Sequence, residues 1–212
     1  NGGNLTIGSE SGSGQLVATG GDGGAGIGGG ENTGAENITI TGGDIFAIGN
    51  GGGAGIGGGW DCSASDITIT GGNVTAVGKQ DDPGRIGGGY GSNGENITIS
   101  DAEVIAIGGT CSAGIGGGCR NLDSTAAGEG KNISISGSAN VKAAGGVGDS
   151  MDGAGAAIGA GGSHQGTTLV DAQEGDVGTS GLSPGGQVER FPPGTTVDIP
   201  QPKPPSRVPH PP

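Results

Sequence analysis

Aromatic side chains are nearly missing from this sequence: Trp60, Tyr90, Phe46 and Phe191 are the only four in 212 residues. An ordinary α/β enzyme core leans on Leu and Phe, so that class is excluded. Positive charge is equally scarce. Lys plus Arg number 8 against 21 Asp plus Glu, and the net charge is −13. Nucleic acid is therefore not an expected partner, because neutralising phosphates takes clustered Lys and Arg. An anionic membrane surface is disfavoured for the same reason. No run approaches the ~18 apolar residues of a membrane span, so no membrane insertion is expected. Cysteine is limited to Cys62, Cys111 and Cys119, an odd number that does not make a disulfide scaffold. The chain begins at Asn1 without a basic-then-apolar leader, and it reads as a piece of something longer.

Glycine is what the chain has in excess. It supplies 57 of 212 residues, about 27 %, against a background near 7 %. It does not recur at every third position, which excludes collagen. Each interior Gly costs a helix about 1 kcal/mol against Ala, so long helices are excluded too. The remaining choice is between β-structure and disorder, and internal repeats decide it.

One repeat reads NITITGGDIFAIG (37–49) then GAGIGGG (53–59). The next reads DITITGGNVTAVG (66–78) then GRIGGG (84–89), and a third NITISDAEVIAIG (96–108) then AGIGGG (113–118). Looser copies flank these three. The isoleucine of the Gly-rich segment falls at 27, 56, 86, 115 and 158, in steps of 29, 30, 29 and 43. The last coil carries insertions over roughly 122–130 and 147–155.

Each repeat holds three short segments between Gly-rich corners. In the first, Ile38 and Ile40 alternate with Thr39 and Thr41, the period of a strand. In the second, Ile45 and Ala47 recur as Val74 and Ala76, then as Val104 and Ala106. In the third, one Ile sits among glycines. Three strands per ~30 residues predict one turn of a three-sided, single-stranded, right-handed parallel β-helix. About five coils, each rising ~4.8 Å, give a rod about 24 Å long. The repeat domain spans 1–166. The rest, 167–212, is expected to be a capping segment followed by a Pro-rich linker or tail, since nine of the eleven prolines lie at or beyond Pro192.

These Gly-rich GAGIGGG/NITITGG repeats resemble those of large bacterial secreted and cell-surface proteins. The resemblance covers roughly residues 4–162. It implies an extracellular or cell-surface module that is β-helical and not an enzyme, often associated with carbohydrate binding or adhesion. The Pro-rich end is similar to wall-spanning spacers in such proteins, although no LPxTG-type sorting motif is present.

Stacking turns one sequence position into a row of side chains. The residue after GGG is Glu31, Trp60, Tyr90 and Cys119 in successive repeats. Trp60 and Tyr90 are then neighbours, either closing a corner or offering a sugar ring a stacking platform. Asp61, Asp81 and Asp82 are the acids placed to take its hydroxyls. Outward on the first strand, Thr39/Thr41, Thr68/Thr70, Thr98/Ser100 and Ser134/Ser136 form an array similar to an ice-binding face; Thr is also an ordinary solvent-facing strand residue. Outward on the second strand, Val17, Phe46, Thr75 and Ile105, ending in Lys142, make an apolar stripe. It is either a contact surface or is covered by the tail through Leu182, Val188 and Phe191. At the entrance to the first strand, Asn4, Asn37, Asp66, Asn96 and Asn132 predict an amide ladder bonded from coil to coil.

No catalytic constellation stands out. Asp101 and Glu103 alternate on one strand and would face the same side, but a lone pair like this is more often a solvated patch than a carbohydrate-cleaving site. The basic residues of the repeats, Lys79, Arg85, Arg120, Lys131 and Lys142, look scattered. His164 and His210 look isolated, and Cys111 and Cys119 look too extended to chelate a metal. No cofactor is expected. The one cation site considered is calcium at Asp81 and Asp82, because the Asp spacing of calcium-binding Gly-rich repeats is lacking. The expected function is a non-enzymatic module that binds glycans or a cell-surface polysaccharide. The alternatives are a stalk or filament subunit that self-associates, a fragment of a polysaccharide lyase or glycoside hydrolase, and an ice-binding solenoid.

Overall fold

In the computed structural model, residues 4–9, 14–78, 85–120, 126–165 and 168–202 are described. Every regular element among them is a strand. The first coil is β1 (Leu5–Ile7), β2 (Gln15–Thr19) and β3 (Ile27–Gly28). The second is β4 (Ala35–Ile40), β5 (Asp44–Gly49) and β6 (Ile56–Gly57), and the third β7 (Ala64–Ile69), β8 (Asn73–Gly78) and β9 (Ile86–Gly87). The fourth is β10 (Gly94–Ser100), β11 (Glu103–Ile107) and β12 (Ile115–Gly116), and the fifth β13 (Gly130–Ser136), β14 (Asn140–Ala144) and β15 (Ile158–Gly159). Then come β16 (Ser163–Gln165), β17 (Thr168–Val170), β18 (Val177–Gly178) and β19 (Gln187–Phe191).

Seventeen of the strands sort into three parallel sheets, one per side of the rod, and β16 and β17 pair antiparallel beside them. Sheet A runs β1-β4-β7-β10-β13-β18, sheet B runs β2-β5-β8-β11-β14-β19, and sheet C runs β3-β6-β9-β12-β15. The chain is therefore a three-sided parallel β-helix. Register is in phase throughout: Ile38 pairs with Ile67, Ile67 with Ile97, and Ile97 with Ile133. Period-2 alternation sends Ile40, Ile69, Ile99 and Ile135 inward, each fully buried. From sheet B come Ile45, Val74, Val104 and Val141 with their partner alanines, and from sheet C Ile27, Ile56, Ile86, Ile115 and Ile158. The three aliphatic stacks meet on the axis and fill it without any aromatic ring.

So thin a core brings backbones close, and glycine is what permits it. Gly87 has φ +139°, and a Cβ there would lie 2.1 Å from the carbonyl oxygen of Gly116 in the next coil. The third residue of β4, β7, β10 and β13 also takes a positive φ, and there it is Asn or Asp. Asn37, Asp66, Asn96 and Asn132 take φ of 52–56°. These side chains tolerate the left-handed region better than most. They also bond along the stack: Asn132 Nδ2 donates to Asn96 Oδ1 and Asn96 Nδ2 to Asp66 Oδ1, both at 3.0 Å. The amide ladder expected from sequence is shown from Asp66 through Asn132, with a backbone reason added to the hydrogen-bonding one.

The two ends differ. At the first coil Ile7, Leu16 and Ala18 are only partly buried, and Leu5 and Val17 are exposed. At the far end β18 pairs with β13, and β19 with β14, so sheets A and B gain a sixth strand. Sheet C gains none, and a carboxylate stands in. Glu174 accepts from the Ala157 and Ile158 amides at 2.6 and 3.1 Å, which occupies edge donors that would otherwise invite another strand. Val188, expected as a cover for the apolar stripe, instead follows Val141 in the inward row and packs on the core.

Two substitutions test this packing. Ile97→Ala should lower unfolding free energy by about 2–5 kcal/mol in urea titration, the cost of truncating a buried Ile in a core that relaxes poorly. Gly87→Ala should melt at a clearly lower temperature than Gly21→Ala, because a Cβ at Gly21 meets nothing within 4 Å.

Candidate functional site

Three places on the rod gather side chains with chemistry. The first is the aromatic corner. Trp60 and Tyr90 stack with ring centroids 4.7 Å apart and planes 10° from parallel. The stack forms because the backbone repeats: Trp60 N–H donates to Gly23 O, and Tyr90 N–H to Gly52 O. Gly52 is required beneath it, since a Cβ there would fall 2.3 Å from the indole ring. Trp60 keeps 37 % exposure, and one face of each ring is spent on the other. Asp61 follows in a left-handed turn at φ 55° and is exposed. Asp81 and Asp82, the one calcium position weighed from sequence, lie outside the described residues, as does His210.

The second is a groove on the outer face of sheet B, with a volume of about 370 Å³. Its rim is a register row, Gln15, Asp44, Asn73, Glu103 and Asn140, one polar side chain per coil. Asn73 Nδ2 donates to Asp44 Oδ1 at 2.7 Å, which fixes two members. Its floor includes Phe46, Thr75 and Ile105, with Lys142 at one end. The stripe read from sequence as exposed is thus mostly sheltered: Phe46 and Ile105 are half-buried and Thr75 is 7 % exposed. Only Val17, 50 % exposed, stands clear. Pro200, Gln201 and Pro202 form the opposite wall, so the tail does run over this face, through a different segment from the one expected. Asp101 and Glu103 separate. Glu103 enters the groove, while Asp101 Oδ1 accepts from the Ser138 amide and hydroxyl in the next coil. Those bonds hold the Asp101 carboxyl below its ordinary range.

The third place was not foreseen. Arg85, Cys111, Cys119, Arg120 and Asp152 are all buried, with His164 at the edge. Arg120 Nε lies 2.7 Å from Asp152 Oδ1, His164 Nδ1 lies 3.3 Å from the same oxygen, and Cys119 Sγ lies 3.8 Å from Asp152 Oδ2. Cys111 and Cys119 are therefore not too far apart to share a ligand: their sulfurs and an Asp152 oxygen all fall within 4.8 Å of one another. The chain doubles back around β12, where Ala113 N–H donates to Gly117 O at 3.1 Å, and so returns to the same edge. Asp152 arrives on the 147–155 insertion, outside the repeat. Its sequence signal was the step of 43 in place of 29 or 30. All three cysteines are free thiols. Burial pulls Arg85 down to about 9, still charged at neutral pH, and its Nε donates to Gly88 O. Burial, then the neighbouring Cys119 and Cys111, push Tyr90 up to about 12.

Among known families, the chain matches the β-helix repeat at two stretches, 38–60 and 97–119. Each runs from an inward Ile of sheet A, Ile38 or Ile97, to the residue after GGG, Trp60 or Cys119, so the two matches share one phase of the coil. No curated protein and no solved structure matches the chain.

Tyr90 is the single tyrosine, which makes its titration readable by ultraviolet absorbance. The phenolate should appear near pH 12 in the folded chain and near 10 in urea. Because the folded value is the higher one, this group's contribution to stability is complete below pH ~10 and is lost as pH rises towards 12.

Proposed function

We propose that the chain is a non-catalytic, extracellular glycan-binding module, and that the glycan lies along the sheet B groove. The observation that carries this reading is the groove's combination of a polar rim and an apolar floor. Sugars present hydroxyls at their edges and C–H faces between them. Carboxylates and amides such as Glu103 and Asn140 accept and donate to hydroxyls, and Phe46 and Ile105 take the C–H face. The rim repeats once per coil, at ~4.8 Å, which suits an extended chain of repeating units running along the rod. Asp44 and Glu103 on the rim and a net charge of −13 favour neutral over anionic polysaccharide. The likeness of the Gly-rich repeats to secreted and surface proteins supports the extracellular setting. The Trp60–Tyr90 stack, with Asp61 beside it, is a second and smaller sugar surface.

A stalk that associates end to end is favoured by one observation, the incompletely covered first coil, with Leu5 exposed and Ile7, Leu16 and Ala18 only partly buried. At the far end Glu174 occupies the sheet C edge amides, and β18 and β19 are the last strands of sheets A and B.

A glycan array with three proteins separates these readings. Wild type should retain neutral polysaccharides, and Glu103→Gln should weaken binding by about 10- to 100-fold, the cost of a charged hydrogen bond. Trp60→Ala should retain most of the affinity. Loss in Trp60→Ala alone would move the site to the aromatic corner. A blank array from folded protein, with sedimentation that grows with concentration, would favour the stalk.

A further inference from the structure

We propose that Cys111, Cys119 and Asp152 bind a thiophilic divalent cation of the zinc class. The inference is separate from the glycan reading and stands whether or not the groove holds a sugar.

The donor set fits. A tetrahedral zinc holds sulfur at ≈ 2.3 Å and carboxylate oxygen at ≈ 2.0–2.2 Å, which places its ligand atoms within about 4 Å of one another. Here the two sulfurs and an Asp152 oxygen already lie within 4.8 Å, and each of the three residues is 1 % exposed. Two thiolates with a carboxylate select zinc-like ions over calcium or magnesium, which take oxygen. Water completes a three-residue site.

The surroundings are arranged as outer-shell groups are around a metal. Asp152 Oδ1 is occupied by Arg120 and His164, which orients the carboxylate and leaves Oδ2 facing Cys119. Cys119 N–H donates to Ser112 Oγ at 3.1 Å, which fixes the backbone that carries the second sulfur.

An independent observation is Arg85. It is fully buried, and its Nη1 and Nη2 have no hydrogen-bond partner among the described residues. Nη2 lies 2.7 Å from where a Cβ on Gly118 would stand, next to Cys119 in the chain. Nε donates to Gly88 O, but leaving both terminal nitrogens of a buried guanidinium without an acceptor is costly, and neutral thiols are poor acceptors for them. Metal binding changes that. The cation brings two positive charges, two thiol protons leave to solvent, and the net charge of the cluster is unchanged. Two thiolates then stand beside Arg85 as strong acceptors.

The test is titration of the reduced, metal-free full chain with Cd²⁺ alone. The ultraviolet cadmium–thiolate band should saturate at one Cd²⁺ per chain with release of two protons. X-ray absorption on the unsubstituted chain should show two sulfur neighbours. Cys111→Ser and Cys119→Ser should each abolish the saturable band, Cys62→Ser should leave it, and His164→Gln should weaken binding by about 10- to 100-fold. No saturable band from folded, reduced chain would overturn the proposal, as would loss on Cys62→Ser. Should the serine variants fail to fold by circular dichroism, the sulfur count on the unsubstituted chain decides alone: two sulfurs support the site, and none or one overturns it.

Discussion

Everything in this molecule depends on coils lying in register at strand spacing around a core only a few aliphatic side chains wide. A single coil cannot bury its own isoleucines; each depends on the coil above and below for both packing and backbone hydrogen bonds. Ile56 pairs with Ile86 and Ile86 with Ile115, so the side chains stack like on like while the backbones bond like on like. The narrow interior dictates the composition. Aromatic rings do not fit inside, and Gly87 and its equivalents are forced by the approach of neighbouring backbones. Scarcity of aromatics and excess of glycine are two sides of one geometric constraint.

The same register manufactures function-bearing surfaces. Any side chain tolerated once is repeated at ~4.8 Å, so a polar residue at the start of the second strand becomes a rim, Gln15 through Asn140. The row behind it becomes an apolar floor. Pro200, Gln201 and Pro202 line the same space, which converts a flat face into a groove. At the third corner the row runs Glu31, Trp60, Tyr90, Cys119, and passes from solvent into the buried Arg85–Asp152 cluster. Aromatic stack and thiol cluster are thus neighbours on one ladder.

What could be read from sequence followed from this periodicity. The inward Ile, Val and Ala rows, three sides, about five coils, the Asp66–Asn132 part of the ladder and the Trp60–Tyr90 neighbourhood all come from residues about 30 to 36 apart that share a phase. What could not be read lies where the period breaks. Asp152 sits in an insertion, so no spacing rule connects it to Arg120 or Cys119. Cys111 and Cys119 are joined by the path of the chain around a corner, which the strand picture alone makes look extended. Arg85 looked like one more scattered base, because burial of a charged residue leaves no mark in a sequence. Pro200 to Pro202 line the sheet B stripe in place of Leu182, Val188 and Phe191, because Leu182 and Val188 pack on the core and Phe191 is in β19, which extends the sheet.

The central functional claim is that a neutral polysaccharide lies along sheet B and contacts one side chain per coil. Nuclear magnetic resonance of the ¹⁵N-labelled chain, titrated with neutral oligosaccharides, tests it directly. The account predicts shifts concentrated in the side-chain amides of Gln15, Asn73 and Asn140, with the single indole N–H of Trp60 unmoved. Shifts confined to that indole, or none at all, would contradict it.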